Sequence, residues 1–371
     1  MKKLIFLLLL FSALAFQSCQ KDADSSPAAL AEDELTAVVP DQDEDGAVTD
    51  RAGCSQTILI PANSVDALAN ALANVCTGGT IWLASGLHTE NAGVVIGKRV
   101  NIKGEDGAVL RIQASPELTF TNSIDVALHF KFATKSSLEN VTIEPTSGPG
   151  GTAVLVEKSG GTTIKDCHIT NFQFSILVHT SVGVNILDNV IVATNAWQTG
   201  ALPEADGIIV INGSGARVKG NDVSQGLFGI FCSDREGIYE KNYTHHNYIG
   251  LILCNVPKGF IYLPGGENAY AKFPATHWTV RNNVSKHNLD AGYIIIDGAN
   301  KNKLISNEGG DNGTYDFDFV GDSYRFGFLT PTCYNNVMWA NEFQDVTVKD
   351  CGVDNIIYGG ALVDNSVYPC L

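Results

Sequence analysis

Gly220-Asn221-Asp222-Val223-Ser224-Gln225-Gly226-Leu227-Phe228-Gly229 aligns without a gap on Lys241-Asn242-Tyr243-Thr244-His245-His246-Asn247-Tyr248-Ile249-Gly250. Asn221 to Asn242 is 21 residues, and Gly229 to Gly250 is 21 again. The pattern returns at Asn283-Val284-Ser285-Lys286-His287-Asn288 ahead of Gly292, and at Asn307-Glu308-Gly309-Gly310-Asp311-Asn312. Gly250 to Gly292 is 42 residues, two periods, with a Pro- and Gly-rich stretch from Pro257 to Pro274 inside it. Short apolar runs such as Ile230–Cys232, Leu251–Cys254 and Ile294–Ile296 follow these turns, and Ile208–Ile211 precedes them. Earlier copies lie at Ile164–Asn171 and Ile186–Asn195.

A period of 21 to 24 residues made of short strands predicts a β-solenoid. One coil cannot bury its own apolar side chains. Stacking coils at about 4.8 Å buries them and sets equivalent residues in ladders. An Asn at the same turn position can bond its counterparts above and below, and it tolerates left-handed φ. The L-x-x-L-x-L spacing of leucine-rich repeats is absent.

These residues resemble the right-handed parallel β-helix superfamily in its parallel β-helix repeat form, over roughly residues 56–365. The resemblance implies an all-β, pectate-lyase-like fold, a right-handed parallel β-helix (β-solenoid) with a short N-terminal capping helix. Ser64–Val75 supplies that helix, with Ser64 as N-cap and Val65, Leu68, Leu72 and Val75 on one apolar face. The superfamily holds pectate lyases, alginate-lyase-like enzymes, mannuronan epimerases, phage tailspikes and proteins without known activity, so fold does not settle function.

The N-terminus reads as an address. Met1-Lys2-Lys3 and the apolar run Leu4–Phe16 make a secretory signal, too short to span a bilayer. Ala13-Leu14-Ala15 suits an ordinary signal peptidase. Ser18-Cys19 resembles a Bacteroidota-type lipoprotein junction, with Phe16 where Leu is usual, and would lipidate Cys19. Residues 1–19 are thus expected as signal peptide, 20–53 as an acidic disordered tether and 54–371 as the β-helix domain. Residues 20–50 hold ten acids and one base, Lys21. Asp41-Gln42-Asp43-Glu44-Asp45-Gly46 starts like a calcium loop, but Ala52 stands at the twelfth position where a bidentate Glu belongs. The expected location is the outer membrane or cell surface through an N-terminal lipid, or secreted or periplasmic if the signal is cleaved in the ordinary way.

Beyond Cys19 come eight cysteines, an even number behind an export signal, which suggests disulfides. Local pairing suggests Cys54–Cys76, Cys232–Cys254 and Cys333–Cys351, with Cys370 able to replace a partner in the last pair.

A β-helix presents a long shallow face suited to an extended polysaccharide. Two departures from the repeat, Ala196–Asp206 and Pro257–Thr276, could lie over it, with Trp197, Tyr262 and Tyr270 stacking on sugar rings. Aligning the turns on the trailing Asn or Gly puts Gln225, His246, His287 and Asp311 in one column, with Ser224, His245, Lys286 and Gly310 beside it. Anchoring on Asn282 instead puts Lys286 under His246. Either way a His/His/Lys cluster arises. Lysis or epimerisation of a uronic acid needs a base for the α-proton and a cation to neutralise the carboxylate. His246 or His287 could be the base, and Lys286 or Arg281 the cation. Asp316 and Asp318 alternate as two carboxylates on one strand face, as bound calcium would require. Adjacent His245 and His246 should point in opposite directions in an extended segment.

The chain of 371 residues carries 24 Lys+Arg and 40 Asp+Glu, a net charge of −16, which disfavours nucleic acid as a partner. Much of that acidity belongs to the tether. Two functions follow: a lyase or epimerase on uronate polymers, or a non-catalytic glycan- or partner-binding surface module.

Overall fold

The computed structural model describes residues 54–116, 125–199, 205–255, 274–320, 323–325, 328–330, 332–343 and 348–358. Every repeat crosses three parallel ladders in turn. The first ladder begins at Thr57–Ile60, passes through Thr163–Lys165, Asn185–Leu187, Thr276–Arg281 and Lys303–Ile305, and ends at Ile356–Tyr358. The second runs from Gly86–Glu90 through Asp222–Ser224, Tyr243–His245 and Val284–Lys286 to Glu342–Phe343. The third runs from Val94–Ile96 through Thr152–Glu157, Phe174–His179, Ile249–Leu253 and Ala291–Ile295 to Val348–Asp350. Two long strands, Asp206–Lys219 and Phe228–Glu240, continue from the third ladder into the first, with a register shift between Ile211 and Ser214 at the bend.

Side chains alternate along each strand, so one column per ladder faces inward. In the first ladder that column is Ile81, Ile102, Leu138, Ile164, Ile186, Val218, Tyr239, Val280, Leu304 and Met338, all fully buried. Each such burial stabilises by about 1.5–3 kcal/mol. The second ladder's inward column is Ile143, Ile169, Ile191 and Val223, then shrinks to Thr244, Ser285 and Gly309. Large rings from the other ladders fill the space released there, Tyr239 stacked on Trp278 at 4.4 Å and Tyr293 on Phe317 at 4.3 Å. Close packing demands that trade of volume.

The turns are tied by buried amides. Between the first and second ladders, Asn189, Asn221, Asn242, Asn283, Asn307 and Asn341 form one column. From Asn221 onward each Oδ1 accepts the backbone N–H and the Nδ2 of the Asn one coil earlier, at 2.7–3.1 Å, and Asn189 Oδ1 accepts the Cys167 N–H at 3.0 Å. The residue before each Asn is left-handed, as at Asp188, Lys241, Asn282, Ser306 and Ala340. Shorter columns, Asn247–Asn288–Asn312 and Asn302–Asn336–Asn355, tie the other two corners.

From Leu155 to Ile294 the third ladder is buried on both sides. Its outward column Leu155, Leu177, Ile209, Phe231, Ile252 and Ile294 is at most 2% exposed. Most of the ionisable side chains presented to solvent lie on the outward faces of the first and second ladders, with Lys131 and Lys349 at the two ends of the third.

At the N-terminus, the helix Ala67–Asn74 covers the first coil, with Leu68, Leu72 and Val75 buried. Val65 departs from the expected apolar face at 59% exposure, because the helix starts after the left-handed Asp66. Nor does Ser64 cap it, since its hydroxyl meets His88 Nδ1 at 3.0 Å. The cap comes from the next coil instead, where Glu90 Oε1 accepts the Leu68 N–H at 2.7 Å.

Cys54–Cys76 is disulfide-bonded as expected. Cys232 and Cys254 are not paired and are both buried free thiols. Cys232 pairs in register with Leu253, so Cys254 stands one residue further on and faces the opposite side of the strand. Cys333 is also free, while Cys351 is disulfide-bonded to a partner outside the described residues. The expected Cys333–Cys351 bridge is therefore absent. Cys19, Cys370 and the whole signal and tether lie outside the described residues.

Candidate functional site

The second ladder settles the register left open by the sequence. Ser224, His245, Lys286 and Gly310 form one outward column. The next residue in each coil, Gln225, His246, His287 and Asp311, is left-handed with φ between 53 and 63°. His246 therefore follows His245 into a turn, not along an extended strand. The two rings meet, Nδ1 to Nδ1, at 2.7 Å, contrary to the expectation of opposite directions.

A connected chain of polar groups results. Asp222 Oδ1 lies 2.8 Å from His245 Nε2. His245 stacks on Tyr243 with ring centroids 4.4 Å apart. The His246 ring lies 5.5 Å from that of His287 on the following coil. His287 Nδ1 is 3.9 Å from Asp311 Oδ2, and Lys286 is ion-paired to Glu308.

One tautomer set satisfies all these contacts. Asp222 accepts from His245 Nε2–H, His245 Nδ1 accepts from His246 Nδ1–H, and His246 Nε2 keeps its lone pair. Desolvation, then the neighbouring His245 and His287, hold His246 below the usual 6.5 of a histidine. The Glu308 carboxylate raises Lys286 above the ordinary lysine value and keeps it cationic. The edge of the second ladder thus offers a neutral imidazole base beside a fixed cation.

Other expected site residues lie elsewhere. Arg281 is on the outward face of the first ladder, 3.3 Å from Glu240, away from the histidines. Asp316 and Asp318 do not share a face. Asp318 stands in the outward column with Ile294. Asp316 turns inward against Gly309, where an added Cβ would meet its Cβ at 2.6 Å, and accepts from Asn312 Nδ2 at 2.7 Å. The strand bends between them, which the alternation rule did not anticipate. Among the described residues, no group of three or more His, Cys, Asp or Glu is arranged to hold a metal ion. Trp197 lies in the 3₁₀ turn Asn195–Thr199, with its side chain outside what is described, and Tyr262 and Tyr270 are outside the described residues altogether.

The sequence reading missed Asp222, Tyr243 and Glu308, although the same 21-residue alignment places Asp222 opposite Tyr243. It also missed a buried pair on the outward side of the third ladder, His129 Nε2 to Glu157 Oε2 at 3.0 Å. The coil between Val94 and Lys131 is irregular in length, so no repeat aligned these two.

The three ladders and their Asn columns define a right-handed parallel β-helix. Residues 85–256 match the family model described as right handed beta helix region. No curated protein matches the chain. Among solved structures, the fold is similar to the A-module of the mannuronan C-5 epimerase AlgE6 of Azotobacter vinelandii, at 13% identity, covering 81% of this chain and 92% of that one with a TM-score of 0.49. It is similar too to pectate lyase Pel9A, at 12% identity, 85% and 80% coverage and a TM-score of 0.46. The PL6 family alginate lyase AlyGC is 15% identical, with 84% of this chain covering 40% of that one at a TM-score of 0.46. These likenesses concern the fold.

Proposed function

We propose that the protein acts on an extended acidic polysaccharide as a lyase or epimerase of uronic-acid units, with His246 as the base. The carrying observation is the Asp222–His245–His246 chain, which leaves His246 Nε2 with a lone pair beside Lys286 in the adjacent column. Lys286 exchanges Glu308 for the substrate carboxylate and stabilises the charge that develops when the α-proton leaves. His246 takes that C5 proton. In elimination, the C–H electron pair becomes the C4–C5 double bond, the C4–O bond breaks, and the departing oxygen takes a proton from His287 or water. In epimerisation no other bond breaks, and a proton returns to C5 from the opposite face.

Purified protein incubated with polymannuronate, polyguluronate and polygalacturonate tests this. Elimination gives the ultraviolet absorbance of the unsaturated product, and epimerisation gives deuterium at C5 from heavy water. His246→Ala abolishes either signal and His277→Ala, outside the cluster, leaves it intact. Blank products on all three polymers overturn the catalytic reading, and saturable binding in their place supports a glycan-binding module.

The N-terminal segment supports export with Cys19 lipidated and the β-helix held at the outer surface by the acidic tether. Metabolic labelling with a fatty acid tests it, since Cys19→Ala loses the label.

A further inference from the structure

Four consecutive coils of the first ladder carry a charge opposite to that of the protein as a whole. Their outward columns hold Arg217, Lys219, Arg281 and Lys303, stacked in register with Ile238, Glu240, Thr279 and Ile305. Lys241 and Lys301 stand at the left-handed positions flanking the same coils. Against these six cations are three carboxylates: Glu236 in the flanking turn, Glu240 on the face, and Asp188 one coil earlier, whose backbone N–H donates to Lys219 O and whose Oδ1 lies beside Gly220. Glu240 is 8% exposed and lies beneath two guanidiniums, 3.8 Å from Arg217 and 3.3 Å from Arg281. It draws the two arginines together without neutralising both. The buried Arg281 Nε has no acceptor. Lys219, Lys241, Lys301 and Lys303 have no carboxylate partner among the described residues. An excess of three positive charges therefore stands on one face of a chain whose net charge is −16.

We infer that this face of the first ladder is a binding surface for a carboxylated glycan, separate from the histidine edge and laid along the stacking direction of the coils. Coils stack about 4.8 Å apart, so an extended polymer meets a cation at nearly every step over about 15 Å. Duplex nucleic acid carries a charge every ~1.7 Å and is repelled by the surrounding negative field, whereas a polymer with one carboxylate per sugar matches the coil spacing. Ile238 and Ile305, both partly exposed between the cations, offer the sugar rings an apolar floor. The inference takes its glycan class from the proposed function, but it stands on charge and spacing and requires no turnover.

Binding is therefore measured on the His246→Ala protein, which does not consume its ligand. Labelled polygalacturonate oligomers are titrated by fluorescence anisotropy at rising salt, with neutral mannan and a single-stranded oligonucleotide as parallel probes. The expected result is saturable binding of the uronate oligomer that weakens with salt, and no binding of mannan. Lys219→Glu/Lys303→Glu weakens it at least tenfold, and Lys131→Glu/Lys349→Glu, on the third ladder, by no more than twofold. Equal losses from both double variants, equal binding of mannan, or tighter binding of the oligonucleotide each overturn the inference. Uronate binding without turnover by the wild type upholds this surface and removes the catalytic reading. Turnover with binding indifferent to Lys219 and Lys303 does the reverse.

Discussion

Replacing Asn242 with Ala cuts the longest Asn column in its middle. Asn242 is 1% exposed. Its Nδ2 donates to Val218 O at 3.0 Å and Asn283 Oδ1 at 2.9 Å, and its Oδ1 accepts from Asn221 N at 3.1 Å and Asn221 Nδ2 at 2.9 Å. In the variant, Asn283 Oδ1 keeps the backbone N–H of residue 242, and Asn221 Nδ2 keeps Ile186 O. The Asn221 N–H is left buried without an acceptor, at about 1–3 kcal/mol, and the three remaining lost bonds cost about 1 kcal/mol each, for a total of about 4–6 kcal/mol. Stacked coils can open in segments, so a single unfolding midpoint understates a local loss. Native-state hydrogen exchange at the Asn221 amide reads it directly, because protection there should fall by the same free energy. Asn282→Ala, one residue along and exposed, should cost only about 1 kcal/mol through its left-handed φ. A loss below about 1 kcal/mol for Asn242→Ala, with the Asn221 amide as protected as before, would refute the view that the column holds the corner together.

Gly250→Ala should destabilise by about 1–3 kcal/mol in thermal unfolding, because the added Cβ would meet Gly292 O at 2.6 Å inside a filled core. Asp234 is fully buried with Oδ2 unpartnered, and burial pushes its carboxyl up to about 7. The folded protein then holds a proton that the unfolded chain releases above its ordinary 3.8, so stability falls as pH rises from about 4 to about 7. Asp234→Asn should flatten that slope and gain up to about 4 kcal/mol at pH 8 relative to the parent, as read by urea titrations at several pH values. Cys76→Ser opens a loop spanning 22 residues and should lower stability by about 3 kcal/mol, a difference that vanishes when both proteins are compared under reducing conditions.

The fold was legible because the Asn and Gly positions must repeat wherever coils stack, and Asn221 and Asn242 repeat with no insertion between them. The column continues to Asn283 across 41 residues, and the surplus is the insertion after Cys254. The cysteines were harder. Spacing near one period brings two residues close but does not say which side of the strand each faces, and a one-residue offset separates Cys232 from Cys254. The same limit explains Asp316 and Asp318, where a bend breaks the alternation, and His245 with His246, where a left-handed residue turns the ring back. Arg281 was placed near the histidines by sequence proximity alone, although three ladders per coil put residues five apart on different faces. Lys286, His246 and His287 fall on adjacent coils as expected because they sit inside the repeat. Their partners Asp222 and Glu308 belong to neighbouring coils and required the register.

The central claim is that His246 removes a proton from C5 of a uronic acid. The most direct measurement is the pH dependence of deuterium incorporation at C5 from heavy water, wild type against His246→Ala. The account predicts incorporation by the wild type that rises with pH to a plateau, with its midpoint below the ordinary histidine value of 6.5, because desolvation and then the neighbouring His245 and His287 favour the neutral ring. His246→Ala should show none while keeping its affinity for the polymer. Incorporation by His246→Ala at the wild-type rate, or none by the wild type on any uronate polymer, would contradict it.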